Sequence, residues 1–249
     1  MNKFFNTAGP NKPDIHYTLL PMQRVNWPEL SSLIAAQKYF ILHAPRQTGK
    51  TSLLINLMHS INAEGQYRAL YVNIEAAQAV RNDVLAAGAS MVQALASAAH
   101  QFWKNFPLAE QTALAVLQRP ANAEAVRQLL QTWSEQSDKP LIIFWDEVDA
   151  LVGDTLISLL RQIRAGYAQR PEAFPLSMIL CGVRDVRDYR IHRSDGEIIT
   201  GGSAFNIKSE SIRLGDFTQA DVQALLQQHT DATGQTFDDG VLDEIWADT

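Results

Sequence analysis

The run Tyr39-Phe40-Ile41-Leu42-His43-Ala44-Pro45-Arg46-Gln47-Thr48-Gly49-Lys50-Thr51-Ser52-Leu53-Leu54 constrains this chain more than any other stretch. Its almost unbroken apolar start, Tyr39 to Ala44, suits a strand buried on both faces. A short turn follows and ends in Gly-Lys-Thr at the head of an apolar helix, expected from Lys50 to about Ile61. Backbone N–H groups at such a turn converge on phosphate oxygens, and the helix presents its positive end to the same point. Gly49 admits close approach of a phosphate, Lys50 brings a mobile positive charge, and the Thr51 hydroxyl suits magnesium, which prefers compact oxygen ligands. Ala44, Pro45, Arg46, Gln47, Thr48 and Ser52 complete the expected nucleotide-contacting loop, Gln47 and Thr48 mainly through their backbone. Ala44 stands where the G-x-x-x-x-G-K-[ST] pattern has its first glycine. It adds only a methyl group, and the strand-turn-helix context carries the reading.

The rest of the chain reads as alternating strands and helices. Helices are expected over Trp27–Gln37, with Pro28 suited to a first turn, and over Thr155–Tyr167, where Leu156, Leu159, Leu160 and Ile163 have the spacing of a buried stripe. Further strands are expected at Arg68–Ile74, Leu141–Trp145, Leu176–Cys181 and Ser211–Leu214. Residues 76–136 contain no convincing strand, and alanine-rich stretches there point to a long helical crossover. Helices near Ala220–Gln228 and Val241–Trp246 finish the chain. This order favours an α/β fold with a mostly parallel sheet covered on both faces. Residues 1–20, with Gly9-Pro10, Pro13 and turn-favouring neighbours, read as irregular.

The second chemical signal is Leu141-Ile142-Ile143-Phe144-Trp145 running into Asp146-Glu147. An acid at the end of a buried strand faces the same sheet edge as the loop after Ala44. Asp146 is the candidate to hold a magnesium-bound water, and Glu147 to orient or deprotonate a water attacking the terminal phosphate. An Asp-Glu pair standing alone would equally suit a helix start.

Composition adds exclusions. The 249 residues, 46% hydrophobic and 19% charged, describe an ordinary globular chain. No apolar run is long enough for a membrane span, and the first residues lack the apolar core of a signal peptide. The single cysteine, Cys181, excludes an internal disulfide and fits a reducing cytoplasm. A formal charge of −6 argues against nucleic-acid binding by the whole surface. Arg184, Arg187, Arg190 and Arg193, interleaved with Asp185 and Asp188, form a local cluster that reads most simply as an internally paired surface. No histidine spacing suits zinc.

The chain resembles bacterial AAA-like, or archaeal-ATPase-like, P-loop ATPases of the signal-transduction group. The resemblance rests on Phe5-Asn6-Thr7-Ala8-Gly9-Pro10, on His43 to Thr51, on Trp145-Asp146-Glu147-Val148-Asp149, on Cys181 to Tyr189 and on Leu214-Gly215-Asp216-Phe217-Thr218. It implies a P-loop NTPase core over residues 1–217 and the beginning of a small helical region over 218–249. It also implies ATP and ADP as ligands, Mg²⁺ at Thr51 and Asp146, and hydrolysis with Glu147 and Lys50 as catalytic residues. No Asn-Lys-x-Asp guanine motif appears. The resemblance places adenine against the segment before the first strand, where Arg24 and its neighbours Pro21, Met22, Gln23 and Trp27 are candidates. Cys181 takes the place of a polar sensor, although a buried core role suits cysteine at least as well. Arg184 is the phosphate-reading candidate, with Arg161, Arg164 and Arg170 as alternatives. The leading expectation is magnesium-dependent ATP hydrolysis coupled to conformational change. A nucleotide-gated interaction module with negligible turnover and an ATPase serving a nucleic-acid transaction are the alternatives. An unidentified protein effector and self-association fit all three.

Overall fold

The computed structural model describes residues 3–7, 9, 11–185, 190–192, 198–200, 206 and 208–248. Strands β1 (Tyr39–His43), β2 (Arg68–Asn73), β3 (Leu141–Asp146), β4 (Ser177–Gly182) and β7 (Lys208–Arg213) form one sheet in the order β2-β3-β4-β1-β7. Every pairing in it is parallel. Short strands β5 (Arg190–His192) and β6 (Ile198–Thr200) pair antiparallel, apart from this sheet.

Alternation along the strands divides the core into two layers. Tyr39, Ile41, Leu70, Val72, Ile143, Trp145, Met178 and Leu180 face α3 (Val84–Phe102), α4 (Pro107–Leu117), α5 (Ala125–Gln136) and α6 (Gly153–Gly166). Phe40, Leu42, Ala69, Tyr71, Phe144, Ile179 and Cys181 face α1 (Trp27–Ala35) and α2 (Lys50–Glu64). The strands β1, β3 and β4 are buried along almost their whole length, as a sheet covered on both faces requires. The expected crossover is helical throughout, as α3, α4 and α5, and it packs as the enlarged helical layer over one face. Helices α7 (Gln219–Thr233) and α8 (Asp239–Ala247) close the chain.

The outer edge of β2 is covered rather than left open. The Trp103 indole N–H donates to Ala69 O at 2.8 Å, and the Asn62 side chain bonds both the N–H and C=O of Ala69 at 2.8 and 2.9 Å. These bonds satisfy edge groups that would otherwise invite another strand. Boundaries moved by a few residues from expectation: α1 ends at Ala35, α2 continues to Glu64, and β7 begins at Lys208. The β5–β6 pair occupies part of the stretch read from sequence as a polar arginine-rich surface.

Candidate functional site

The site lies at the carboxyl ends of the parallel strands, because β4 sits between β1 and β3. In register, His43 pairs with Gly182, Trp145 with Leu180, and Asn73 with Asp146. The loop leaving β1 and the acid ending β3 therefore flank the end of β4, at the crevice where α/β sheets bind ligands.

The loop 44–49 reverses the chain with two left-handed residues, Gln47 (φ 61°) and Gly49 (φ 83°). Gly49 adopts that conformation without steric cost. A Cβ there would stand in ordinary contact with Arg24, 3.4 Å from its Nη1, so the backbone conformation is what calls for glycine. Lys50, the first residue of α2, folds its ammonium back into the loop and donates to Ala44 O at 3.0 Å and Pro45 O at 2.8 Å. Thr48 Oγ1 donates to Pro45 O at 2.8 Å and tightens the same turn. Ala44 is buried in the layer beneath, so its methyl points into the core.

Asp146 is fully buried, and its carboxylate is the hub of the floor. Its Oδ2 accepts from Thr51 Oγ1 at 2.7 Å and from Tyr71 OH at 3.0 Å, and its Oδ1 accepts from Glu147 N at 3.0 Å. Three donors satisfy a charge that would otherwise be costly to bury. Glu147 has a left-handed backbone (φ 59°), which turns the chain out of the β3 direction, and the residue lines the cleft. Partial burial, then the neighbouring Asp146 and Asp149 charges, raise its pKa above the usual carboxylate range, against the pull of Lys50. Cys181 is buried beside Asp146, and desolvation pushes its thiol pKa well up.

Around these groups runs an open cleft of about 1050 Å³. Arg46 to Ser52 form one wall and Glu147 lies on the floor. The cleft also meets residues given no site role from sequence: Tyr71 and Asn73 on β2, Glu75 just after it, Ser97 and Gln101 on α3, and Phe217. An N-terminal strap supplies Asn6, Thr7, Gly9 and Asn11. Asn6 Nδ2 donates to Gly9 O and Asn11 Oδ1, each at 3.0 Å, and Asn11 N donates to Ser52 Oγ at 3.3 Å. The strap then reaches α7, where the Gln228 amide bonds both the N–H and C=O of Thr18.

Other sequence candidates fall elsewhere. Arg24 lies behind the loop, outside the cleft lining. Its guanidinium donates to Thr48 O and Gly215 O and stacks on the Phe217 ring at 3.9 Å. Burial lowers its pKa, countered by Asp216 and Asp221. Trp27 and Met22 pack against the α1–α2 layer. Arg184 is exposed just past β4, and Arg161 and Arg164 are exposed on α6. Arg170 is occupied structurally, donating to Gln37 O and Tyr167 O and lying 3.4 Å from the Tyr167 ring centre. Arg187, Arg193 and Asp188 lie outside the described residues.

A strand, a phosphate-type loop, a helix N-terminus and an acid two strands away define the P-loop NTPase class. Within it the chain belongs to the AAA domain family, whose model matches residues 34–189, more than half of the chain. No curated protein matches the chain in sequence. Among solved structures, the ORC1 protein of Aeropyrum pernix in complex with DNA is similar at 15% identity and a TM-score of 0.53, covering 86% of this chain and 50% of that one. A DNA replication initiation factor (13%, TM-score 0.50) covers 93% and 58%, and Cdc6p from Pyrobaculum aerophilum (16%, TM-score 0.50) covers 82% and 46%. The chain thus spans about half the length of these solved chains, and at such identities the likeness concerns the fold. Family and fold together support nucleotide binding in general. No helix among the described residues is long and apolar enough to cross a membrane.

Proposed function

We propose that this chain binds ATP with magnesium and hydrolyses it to ADP and phosphate, coupling turnover to movement of its C-terminal helices. The observation that carries the reading is the convergence of Arg46 to Thr51 and Glu147 on one cleft, with Asp146 buried beneath it and bonded to Thr51 and to the Glu147 N–H. Loop amides and the α2 N-terminus hold phosphate oxygens. Lys50, which here caps the loop's own carbonyls, exchanges them for the terminal phosphates.

Thr51 and Asp146 offer only oxygen donors, which fits Mg²⁺. Among the described residues no group of three His, Cys, Asp or Glu converges to hold a metal. A cation here would therefore arrive with the nucleotide, its remaining ligands being phosphate and water. Bound there, magnesium would neutralise charge on the outer phosphates. Glu147, on the cleft floor with a raised proton affinity, orients the attacking water and accepts its proton.

Coupling is supported by two physical links between the loop and α7. Arg24 ties Thr48 to Gly215, three residues before the α7 N-cap Thr218, and the strap ties Ser52 to Gln228. The same links favour a second reading, a nucleotide-gated interaction module with little turnover. Phosphate release from ATP by the unaltered chain and by Glu147→Gln separates the two. Hydrolysis predicts release that falls at least about a hundredfold in Glu147→Gln while ATP binding persists. Binding without release by the unaltered chain selects the gated module, and equal release by both chains removes Glu147 from the mechanism.

A further inference from the structure

Tyr71 occupies a position where packing asks for a ring and nothing asks for a hydroxyl. It lies on β2 with its side chain in the α2 layer, and the residue is 9% exposed. Its ring meets Phe102 edge-on at 6.4 Å, and its backbone N–H lies 3.3 Å from Met58 Sδ. Phenylalanine would fill that space equally well. Yet the phenol reaches the end of β3 and donates to the same Asp146 oxygen that receives the Thr51 proton. The Asn73 and Thr51 side chains neighbour the phenol. A phenol keeps its proton at neutral pH, so it remains a donor.

We propose that Tyr71 is a positioning residue for the cation site: by holding Asp146 Oδ2 in place, it keeps the Thr51 hydroxyl proton on Asp146 and the Thr51 lone pairs free for a cation. A hydroxyl has one proton and two lone pairs, so committing the proton fixes where the lone pairs point. A carboxylate turns easily about its terminal torsion. Tyr71 on Oδ2 and the Glu147 N–H on Oδ1 grip it from both ends. Partners outside the direct ligands orient a metal site in this way, and losing one weakens metal affinity by about tenfold or more. The inference rests on the magnesium-ATP reading.

The test titrates Mg²⁺ against a fluorescent ATP analogue bound to the unaltered chain, to Tyr71→Phe and to Asn73→Ala, a change in a cleft-lining neighbour of the phenol. A parallel series contains EDTA. The half-saturating Mg²⁺ concentration rises about tenfold in Tyr71→Phe and by less in Asn73→Ala, while metal-free nucleotide affinity stays unchanged. Equal Mg²⁺ dependence in all three chains overturns the role of Tyr71 and leaves the ATP reading standing. A parallel loss with and without Mg²⁺ in both variants also overturns it, because that is the mark of a packing role. No ATP binding by the unaltered chain overturns the ATP reading itself, and this inference falls with it.

Discussion

Replacing Asp146 separates its charge from its place in the fold. In Asp146→Ala the Thr51 hydroxyl, the Tyr71 hydroxyl and the Glu147 N–H all lose their acceptor. Each buried donor left unsatisfied costs about 1–3 kcal/mol. Thr51, Tyr71 and Glu147 all line the open cleft, so water replaces part of that loss. The net cost is therefore about that of one such donor, 1–3 kcal/mol, and lowers the melting temperature by about 2–12 °C for a chain of this size. Asp146→Asn behaves differently. Its amide oxygen takes the Glu147 N–H, and its NH₂ faces the two hydroxyls, each of which can accept. That variant should melt within about 4 °C of the unaltered chain, a change worth about 1 kcal/mol. It should bind metal-free ATP unchanged, yet gain nothing from Mg²⁺, because the anionic ligand is gone. Thermal melts and nucleotide titrations with Mg²⁺ or EDTA read both properties. Full magnesium enhancement in Asp146→Asn would refute the reasoning. So would equal destabilisation by both substitutions, which would make the carboxylate a structural counter-charge alone.

Two further outcomes follow from particular contacts. A Cβ on Gly166 would stand 2.4 Å from the ring of the fully buried Phe174, so Gly166→Ala overpacks the α6 layer by about 1–3 kcal/mol. Thermal melts should fall by about 2–12 °C, and an unchanged midpoint would mean that Phe174 has room to move. Glu147 has its pKa raised in the folded chain, so its ionised form destabilises the nucleotide-free fold above the unfolded pKa, and that penalty vanishes as pH falls below it. Glu147→Gln should therefore raise the melting temperature near neutral pH and leave it nearly unchanged at the acid end of the carboxylate range. The opposite pH trend would contradict the assigned environment.

The strand-turn-helix from Tyr39 to Glu64 was readable because strand burial, turn chemistry and helix pattern all agree within a short window. The same agreement exposed β3 and Asp146, since an acid after five apolar residues breaks a buried strand conspicuously. Tyr71 was not readable as a site residue. An aromatic on the inward face of a strand looks like core, and only the pairing of Asn73 with Asp146 brings its hydroxyl to the carboxylate. The strap was missed for a related reason. Its bonds to Ser52 and Gln228 span 41 and 210 positions, and turn-forming residues carry no record of distant partners. Arg24 drew notice for its place before β1, but sequence could not show Thr48 O and Gly215 O competing for its guanidinium. The left-handed backbone of Glu147 has no local signal either, glutamate being an uncommon residue there. The three-residue strands β5 and β6 are too short to display a period of two.

The central claim is that the loop around Lys50 holds the phosphates of ATP. Calorimetric titration of ATP with Mg²⁺ into the unaltered chain and into Lys50→Ala tests it most directly. A charge-assisted hydrogen bond contributes about 1.5–3 kcal/mol, so losing the ammonium should weaken binding by about tenfold or more. Saturable ATP binding by the unaltered chain, weakened to that extent in Lys50→Ala, is the expected result. Absence of ATP binding by the unaltered chain, or equal affinity in both, would contradict the account.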